Sequence, residues 1–200
     1  APSAVKLRWP GPITAGGRMY GLVNRAVEQM VRERFGAERW HAIQARAGLE
    51  DEGFLALRTY PDEVTYRLVA AASEELGVPA PAVLEAFGEY WVAATAQASY
   101  GDLMRLSGRT LPEFLQNLDQ MHSRLALTFK YMKPPSFTCT DVTPTSLVLH
   151  YHSTRDGLLP FVVGLVKGLG EYFHTPARVE ILATREAGAP NDSLRVTMEA

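Results

Sequence analysis

One histidine and one short polar stretch carry most of the chemistry this sequence offers. His122 lies among Phe114, Leu115, Leu118, Met121, Leu125 and Phe129, which recur on one face at helical spacing. An imidazole in an apolar setting can bind a metal through one ring nitrogen while the other donates to a nearby acceptor. Haem iron with a single proximal histidine is one frequent use. The same pattern also describes a core histidine satisfied by a backbone carbonyl, and periodicity alone favours that plainer reading.

Tyr151, Ser153 and Arg155 stand at alternate positions. On a strand, such residues share one face. That face would present a phenol, a hydroxyl and a guanidinium, all hydrogen-bond donors, the last with a planar fork that matches a carboxylate. It could grip a dianionic ligand. It could equally be a solvent-facing strand end with unrelated polar residues, and by chemistry alone that alternative is slightly the better. The remaining histidines offer less. His41 and His174 are isolated, while His150 and His152 share a strand face without a second ligand pair beside them. Cys139 is the single cysteine, so no intrachain disulfide can form. A reducing compartment is compatible with that. Nothing near Cys139 in sequence would lower its pKa, which points to a buried or inert thiol.

The elements that must position these groups can be read along the chain. Residues 1–18, with Pro2, Pro10, Pro12, Gly11, Gly16 and Gly17, lack periodicity and read as a flexible leader or extension. The folded domain is expected over 19–200. Leu22, Val23, Ala26, Val27, Met30 and Val31 predict a helix ending at Gly36. Trp40, Ile43 and Ala47 predict a second, stopped at Gly48. The acidic run Glu50, Asp51, Glu52 reads as a solvated loop. Pro61 marks a helix start, followed by the stripe Val64, Leu68, Val69, Ala72 and Leu76 up to Gly77. Pro81 opens another helix with Val83, Leu84, Phe87 and Trp91 inward, and a short segment runs from Tyr100 to Leu106. Thr110 and Glu113 form a capping box for the His122 helix, which Pro134 and Pro135 are expected to end. Strands follow at 136–141, 146–153, 178–184 and 193–198, with a helix over 158–173. The class is α+β, a helical N-terminal half followed by an α/β C-terminal half with an antiparallel sheet.

Composition narrows the function classes. Two hundred residues fit one domain, and 46% hydrophobic with 21% charged residues is a globular profile. Twenty basic against 22 acidic residues give a net charge of −2, which forces no basic face and argues against nucleic acid. No run approaches the roughly eighteen apolar residues of a membrane span. No apolar stretch follows Lys6 and Arg8 as a secretory signal would require. The expected setting is cytoplasmic.

Several segments, in order, resemble one family. Tyr151-His152-Ser153-Thr154-Arg155 resembles the Tyr-x-Ser-x-Arg propionate-binding motif of haem–nitric oxide/oxygen (H-NOX) domains, and it begins 29 residues after His122. Glu113-Phe114-Leu115-Gln116-Asn117-Leu118-Asp119 resembles the proximal-histidine helix of the soluble guanylate cyclase β subunit. Met19-Tyr20-Gly21-Leu22-Val23-Asn24 resembles the family's start, Pro134-Pro135-Ser136-Phe137 its haem-pressing proline, and Leu68-Val69-Ala70-Ala71-Ala72-Ser73 a cyclase segment. The likeness runs from Met19 almost to the C-terminus.

The resemblance implies an H-NOX fold with non-covalent haem b buried between the two halves. It implies His122 as the proximal iron ligand, and Tyr151, Ser153 and Arg155 on the propionates. Pro135 would press on the porphyrin, Leu118 would line the haem, and Val23, Val27, Trp91 and Phe161, with Leu165 nearby, would form the distal side. Stable oxygen binding in this family goes with a distal tyrosine on the helix after the strand motif. Here that stretch is Leu158-Leu159-Pro160-Phe161-Val162-Val163, without a side-chain donor. Tyr90 and Trp91 are the donors left on another helix, and the resemblance suggests Asp62 as a partner for Trp91. The implied function is a non-enzymatic gas sensor selective for nitric oxide, with carbon monoxide as a second ligand. Weakening of the iron–His122 bond, movement of the haem against Pro135 and a shift of the helix from Tyr20 would signal to a separate effector, such as a histidine kinase or a cyclic-di-GMP enzyme. The competing readings are a haem-binding redox sensor or carrier, a peroxidase and a haem-free relative. An apolar distal set argues against peroxidase chemistry.

Overall fold

The computed structural model describes residues 17–49 and 53–199. Most of the expected leader and the acidic run Glu50–Glu52 therefore lie outside the described residues. The chain forms two compact units: residues 1–86 with 155–161, and residues 87–154 with 162–200. Helices dominate the first half and an antiparallel sheet the second, as an α+β fold requires. No helix among the described residues is long and apolar enough to cross a membrane.

In the first unit, β1 (Arg18–Tyr20) pairs antiparallel with β2 (Thr59–Pro61), placing Met19 opposite Tyr60. Arg18 is already in the ribbon, and its side chain donates to the Thr59 hydroxyl at 2.9 Å. Helix α1 (Gly21–Phe35) has no side-chain cap at Tyr20. Its first amides are satisfied instead by the turn before β2: Gly21 N–H donates to Arg58 O at 2.7 Å and Leu22 N–H to Ala56 O at 3.0 Å. This approach is so close that a Cβ on Gly21 would run into the Leu55 carbonyl. Helix α1 buries the predicted stripe Ala26, Val27, Met30 and Val31. Helix α2 (Ala37–Arg46) buries Trp40 and Ile43, and α3 (Asp62–Leu76) buries Val64, Leu68, Val69 and Ala72 before stopping at left-handed Gly77, φ 66°.

Helix α4 (Ala80–Tyr90) continues into a π-helical turn, Trp91–Ala96, and then into α5 (Gln97–Ser107), which is kinked at Tyr100. The sequence reading expected only a short segment here. Helix α6 (Leu111–Thr128) carries His122. Its cap differs from the expected box. Thr110 Oγ1 accepts from Glu113 N–H at 3.4 Å, but the Glu113 carboxylate accepts from Arg109 N–H, at 2.9 Å, one residue further back. Pro134 and Pro135 do not end the helix. It stops at Thr128, where Phe129 leaves helical geometry while its N–H still bonds Leu125 O.

The second unit's sheet has the order β3-β4-β6-β5, all neighbours antiparallel, with β3 Ser136–Thr140, β4 Ser146–His152, β5 Ala177–Ala183 and β6 Asp192–Met198. Phe137, Leu147, Leu149, Tyr151, Leu194 and Val196 are buried along it. Helix α7 (Leu159–Tyr172) lies between β4 and β5 in the chain.

The start of α6 is fixed by contact. A Cβ on Gly108 would come within 2.5 Å of Phe114 N and 2.6 Å of Phe114 Cα. Asn117 Nδ2 also donates to Ser107 O at 2.9 Å. Gly108→Ala must push α6 away from the end of α5. It is expected to cost about 1–3 kcal/mol in urea unfolding. An unchanged midpoint would show that the helix start has room to relax.

Candidate functional site

His122 stands on α6 one turn after buried Leu118. Its Nδ1 is buried and has no hydrogen-bond partner. Burial pushes the imidazole down to about 4, against the smaller upward pull of the Asp119 charge. At neutral pH the ring is therefore uncharged, which is the protonation state of a metal ligand. No backbone carbonyl accepts from Nδ1.

Two residues that the sequence reading did not single out hold this ring in place. Phe137, on β3, lies 5.7 Å from the His122 ring centroid at 31°, and 5.3 Å from the Tyr151 ring at 32°. His122, Phe137 and Tyr151 thus form a file of tilted rings from helix to sheet. Asp119 Oδ1 accepts from Phe137 N–H at 3.0 Å and ties α6 to the first turn of β3. Pro135, half-buried, stands just ahead of this junction. The signals were present: Asp119 lies nearly one turn before His122, and Phe137 begins an alternation with Cys139. Neither reveals a tertiary partner by itself.

The strand motif is divided by the fold. Tyr151 is in β4 and Ser153 just past its end, and both are buried in the second unit rather than solvent-facing. Strand geometry stops at His152, so Arg155 does not continue that face. Arg155 belongs to the first unit, where its Nε meets Asp62 Oδ2 at 2.8 Å and its Nη2 donates to Arg18 O at 3.0 Å. Asp62 is buried and Arg155 nearly so, with side chains 7% and 13% exposed. The Asp62 carboxylate, expected opposite Trp91, is thus engaged by Arg155. Nearby, Tyr66 Oη donates to Asp156 O at 2.7 Å.

The residues implied for the distal side fall in both units. Val23 is half-buried and Val27 buried on α1, while Phe161 and Leu165 are half-buried on α7. Trp91, half-buried, packs edge-on against Phe87 at 6.1 Å. The other candidate ligands are accounted for. His150 Nε2 and Nδ1 each lie 2.9 Å from a hydroxyl, of Thr140 and Ser193 respectively. Among the described residues, no group of three or more His, Cys, Asp and Glu side chains could hold a metal ion. An iron bound by His122 would need its other ligands from a cofactor. A neutral buried imidazole with an unspent nitrogen, and hydroxyl donors at the end of β4, fit haem.

Comparison with known proteins identifies the family. Residues 20–181 match the haem-NO-binding family. Soluble guanylate cyclase gcy-31 of Caenorhabditis elegans is 30% identical over 165 residues, which is 82% of this chain and 24% of that protein. The rat guanylate cyclase soluble subunit beta-2 is 36% identical over 106 residues, 52% of this chain and 16% of its own. The chain spans about a quarter or less of the length of these relatives. An H-NOX protein from S. oneidensis has the same fold, with a TM-score of 0.82 at 18% identity, over 91% of this chain and 97% of that one. The unliganded Fe(II) H-NOX protein from K. algicida gives 0.80 at 22%, over the same shares. The chain belongs to the haem-NO-binding, or H-NOX, family, whose domains are haem-binding gas-sensor modules.

Two outcomes test this arrangement. Asp62→Asn and Arg155→Met should each destabilise the protein by about 3 kcal/mol, and the double variant by clearly less than the sum, because each single change strands a buried charge or donor. Strict additivity would mean the pair is not coupled. Burial also pushes the Cys139 thiol up to about 11, from an ordinary value of 9.0. The raised value keeps the thiol protonated, so at pH 8 iodoacetamide should label the folded chain about a hundredfold more slowly than the unfolded chain. The folded rate should climb as pH rises toward 11. Fast labelling at pH 8 would reopen a thiol redox role.

Proposed function

We propose that this chain is a gas-sensing domain selective for nitric oxide, with His122 as the only protein ligand to the iron of a non-covalent haem b. The observation that carries the proposal is the buried, unpartnered Nδ1 of a histidine whose ring burial keeps neutral. When bound, the haem would supply a ferrous iron able to take up nitric oxide, with carbon monoxide as a second ligand.

The chain's own residues would do the rest. Tyr151 and Ser153 would donate to the propionates. Arg155, whose guanidinium also holds Asp62, would be the third donor. Leu118 and Pro135 would line the proximal face. Val23, Val27, Trp91, Phe161 and Leu165 would line the distal one. The stretch Leu158–Val163 presents no side-chain donor, so oxygen would forgo about 1–3 kcal/mol from a polar contact in a dry setting. Nitric oxide depends less on such a contact.

A change in tension on His122 would pass along α6. Asp119 and the Phe137 ring couple that helix to β3, giving the sheet a second position to adopt. Movement of α1 would present the change to a separate effector in the cytoplasm, such as a histidine kinase or a cyclic-di-GMP enzyme. The module itself would catalyse nothing.

The test is spectroscopic. The wild-type chain should take up one haem and bind nitric oxide in the ferrous state. It should form no long-lived oxygen complex in air. His122→Gly should lose the protein-derived axial ligand, and added imidazole should restore it. A stable oxygen complex would end the selectivity claim. An unchanged ferrous spectrum in His122→Gly would end the ligand assignment.

A further inference from the structure

Thr95 is buried, 6% exposed, and its hydroxyl has no hydrogen-bond partner. A threonine inside a helix ordinarily returns its hydroxyl to a carbonyl one turn earlier. Thr95 stands in the π-helical turn Trp91–Ala96, where that local bond is not made. Unsatisfied buried hydroxyls are uncommon in native proteins and ask for a ligand or water. Single π turns within helices also concentrate at functional sites.

The position of this turn says what the ligand is. Trp91, one of the proposed distal residues, is one turn before Thr95. The next residue, Val92, packs against α7: a Cβ on Gly168 would lie 3.0 Å from Val92 Cβ and 3.2 Å from the Glu89 backbone. Leu165, another proposed distal residue, is one turn before Gly168 on that helix. The start of the π turn thus packs on α7 one turn from Leu165, and Thr95, three residues after Val92, is the buried hydroxyl of that turn.

We infer that the Thr95 hydroxyl is the polar contact for the gas, donating a hydrogen bond to a small diatomic ligand in the haem-loaded protein. The inference rests on the haem reading above. It replaces a wholly apolar distal side with one that is polar at a single point. The π turn is the device that leaves the hydroxyl free of its own backbone. Bound oxygen gains most from such a donor, carbon monoxide less and nitric oxide least, so this contact returns part of what oxygen forgoes along Leu158–Val163, and Thr95→Val should refuse oxygen more completely.

The experiment compares haem-loaded full-length wild type, Thr95→Val and Thr95→Ser. In the carbon monoxide complex, Thr95→Val should raise the C–O stretching frequency. It should also speed carbon monoxide release about fivefold, the worth of one neutral hydrogen bond. Thr95→Ser should stay near wild type in both. Because no internal bond is lost, the urea midpoint of Thr95→Val should equal or exceed that of wild type. An unchanged C–O stretch and release rate in Thr95→Val would overturn the assignment while leaving the haem reading intact. A clearly lower midpoint would do the same, by revealing an internal partner. A wild-type chain that takes up no haem would overturn both.

Discussion

The rest of the site depends on one cost, a histidine held neutral among apolar side chains with a ring nitrogen unspent. Water would satisfy that nitrogen in the unfolded chain, and in the fold no protein group among the described residues takes its place. Such a debt is tolerated when a ligand settles it. It also fixes what kind of ligand can come. A neutral imidazole donates a lone pair to a metal, and the absence of a converging ligand group among the described residues means that one histidine cannot hold an ion alone. Iron presented within a macrocycle answers both conditions.

Meeting that cost requires a helix that cannot drift, and α6 is restrained at several points. Its N-terminus is capped by Thr110 and Glu113, and its start is pressed against Gly108. Asn117 holds the end of α5, and Asp119 holds the start of β3. Buried Leu111, Phe114, Leu115 and Leu118 anchor the first half of the helix. Beyond His122 the burial falls away, with Leu127 88% exposed and the helix ending at Thr128. The histidine therefore sits where a rigid segment gives way to a loosely held one.

Much of this was legible in the sequence because it is local. Helix stripes, the stops at Gly36 and Gly77 and the four strands of the main sheet follow from periodicity and turn chemistry. What was not legible depends on partners far along the chain or on small changes of helical pitch. The β1–β2 ribbon joins Arg18 to Pro61, and neither three-residue strand carries an alternation of its own. Asp62 and Arg155 are 93 residues apart. The six-residue π turn is too short for its period to stand out from an ordinary helix. The end of α6 was misplaced because Pro134 is a strong stop signal, whereas Phe129 leaves the helix without any breaker. Within the site, His122 could be named from the resemblance, but Phe137 and Asp119 needed the register of β3 against α6.

The motif at Tyr151–Arg155 shows why spacing alone can mislead about geometry. Read as a strand, it places three donors on one face. In the fold, two donors stay with the sheet while the third crosses to the first unit and binds Asp62. Within the first unit the Arg155 guanidinium is engaged by the Asp62 carboxylate. Asp62 N–H also bonds Gly17 O, and Arg155 bonds Arg18 O, so the ion pair is tied directly to the strand leading into α1. A residue that spacing assigns to a strand face thus serves, in the fold, to anchor the start of the N-terminal helix.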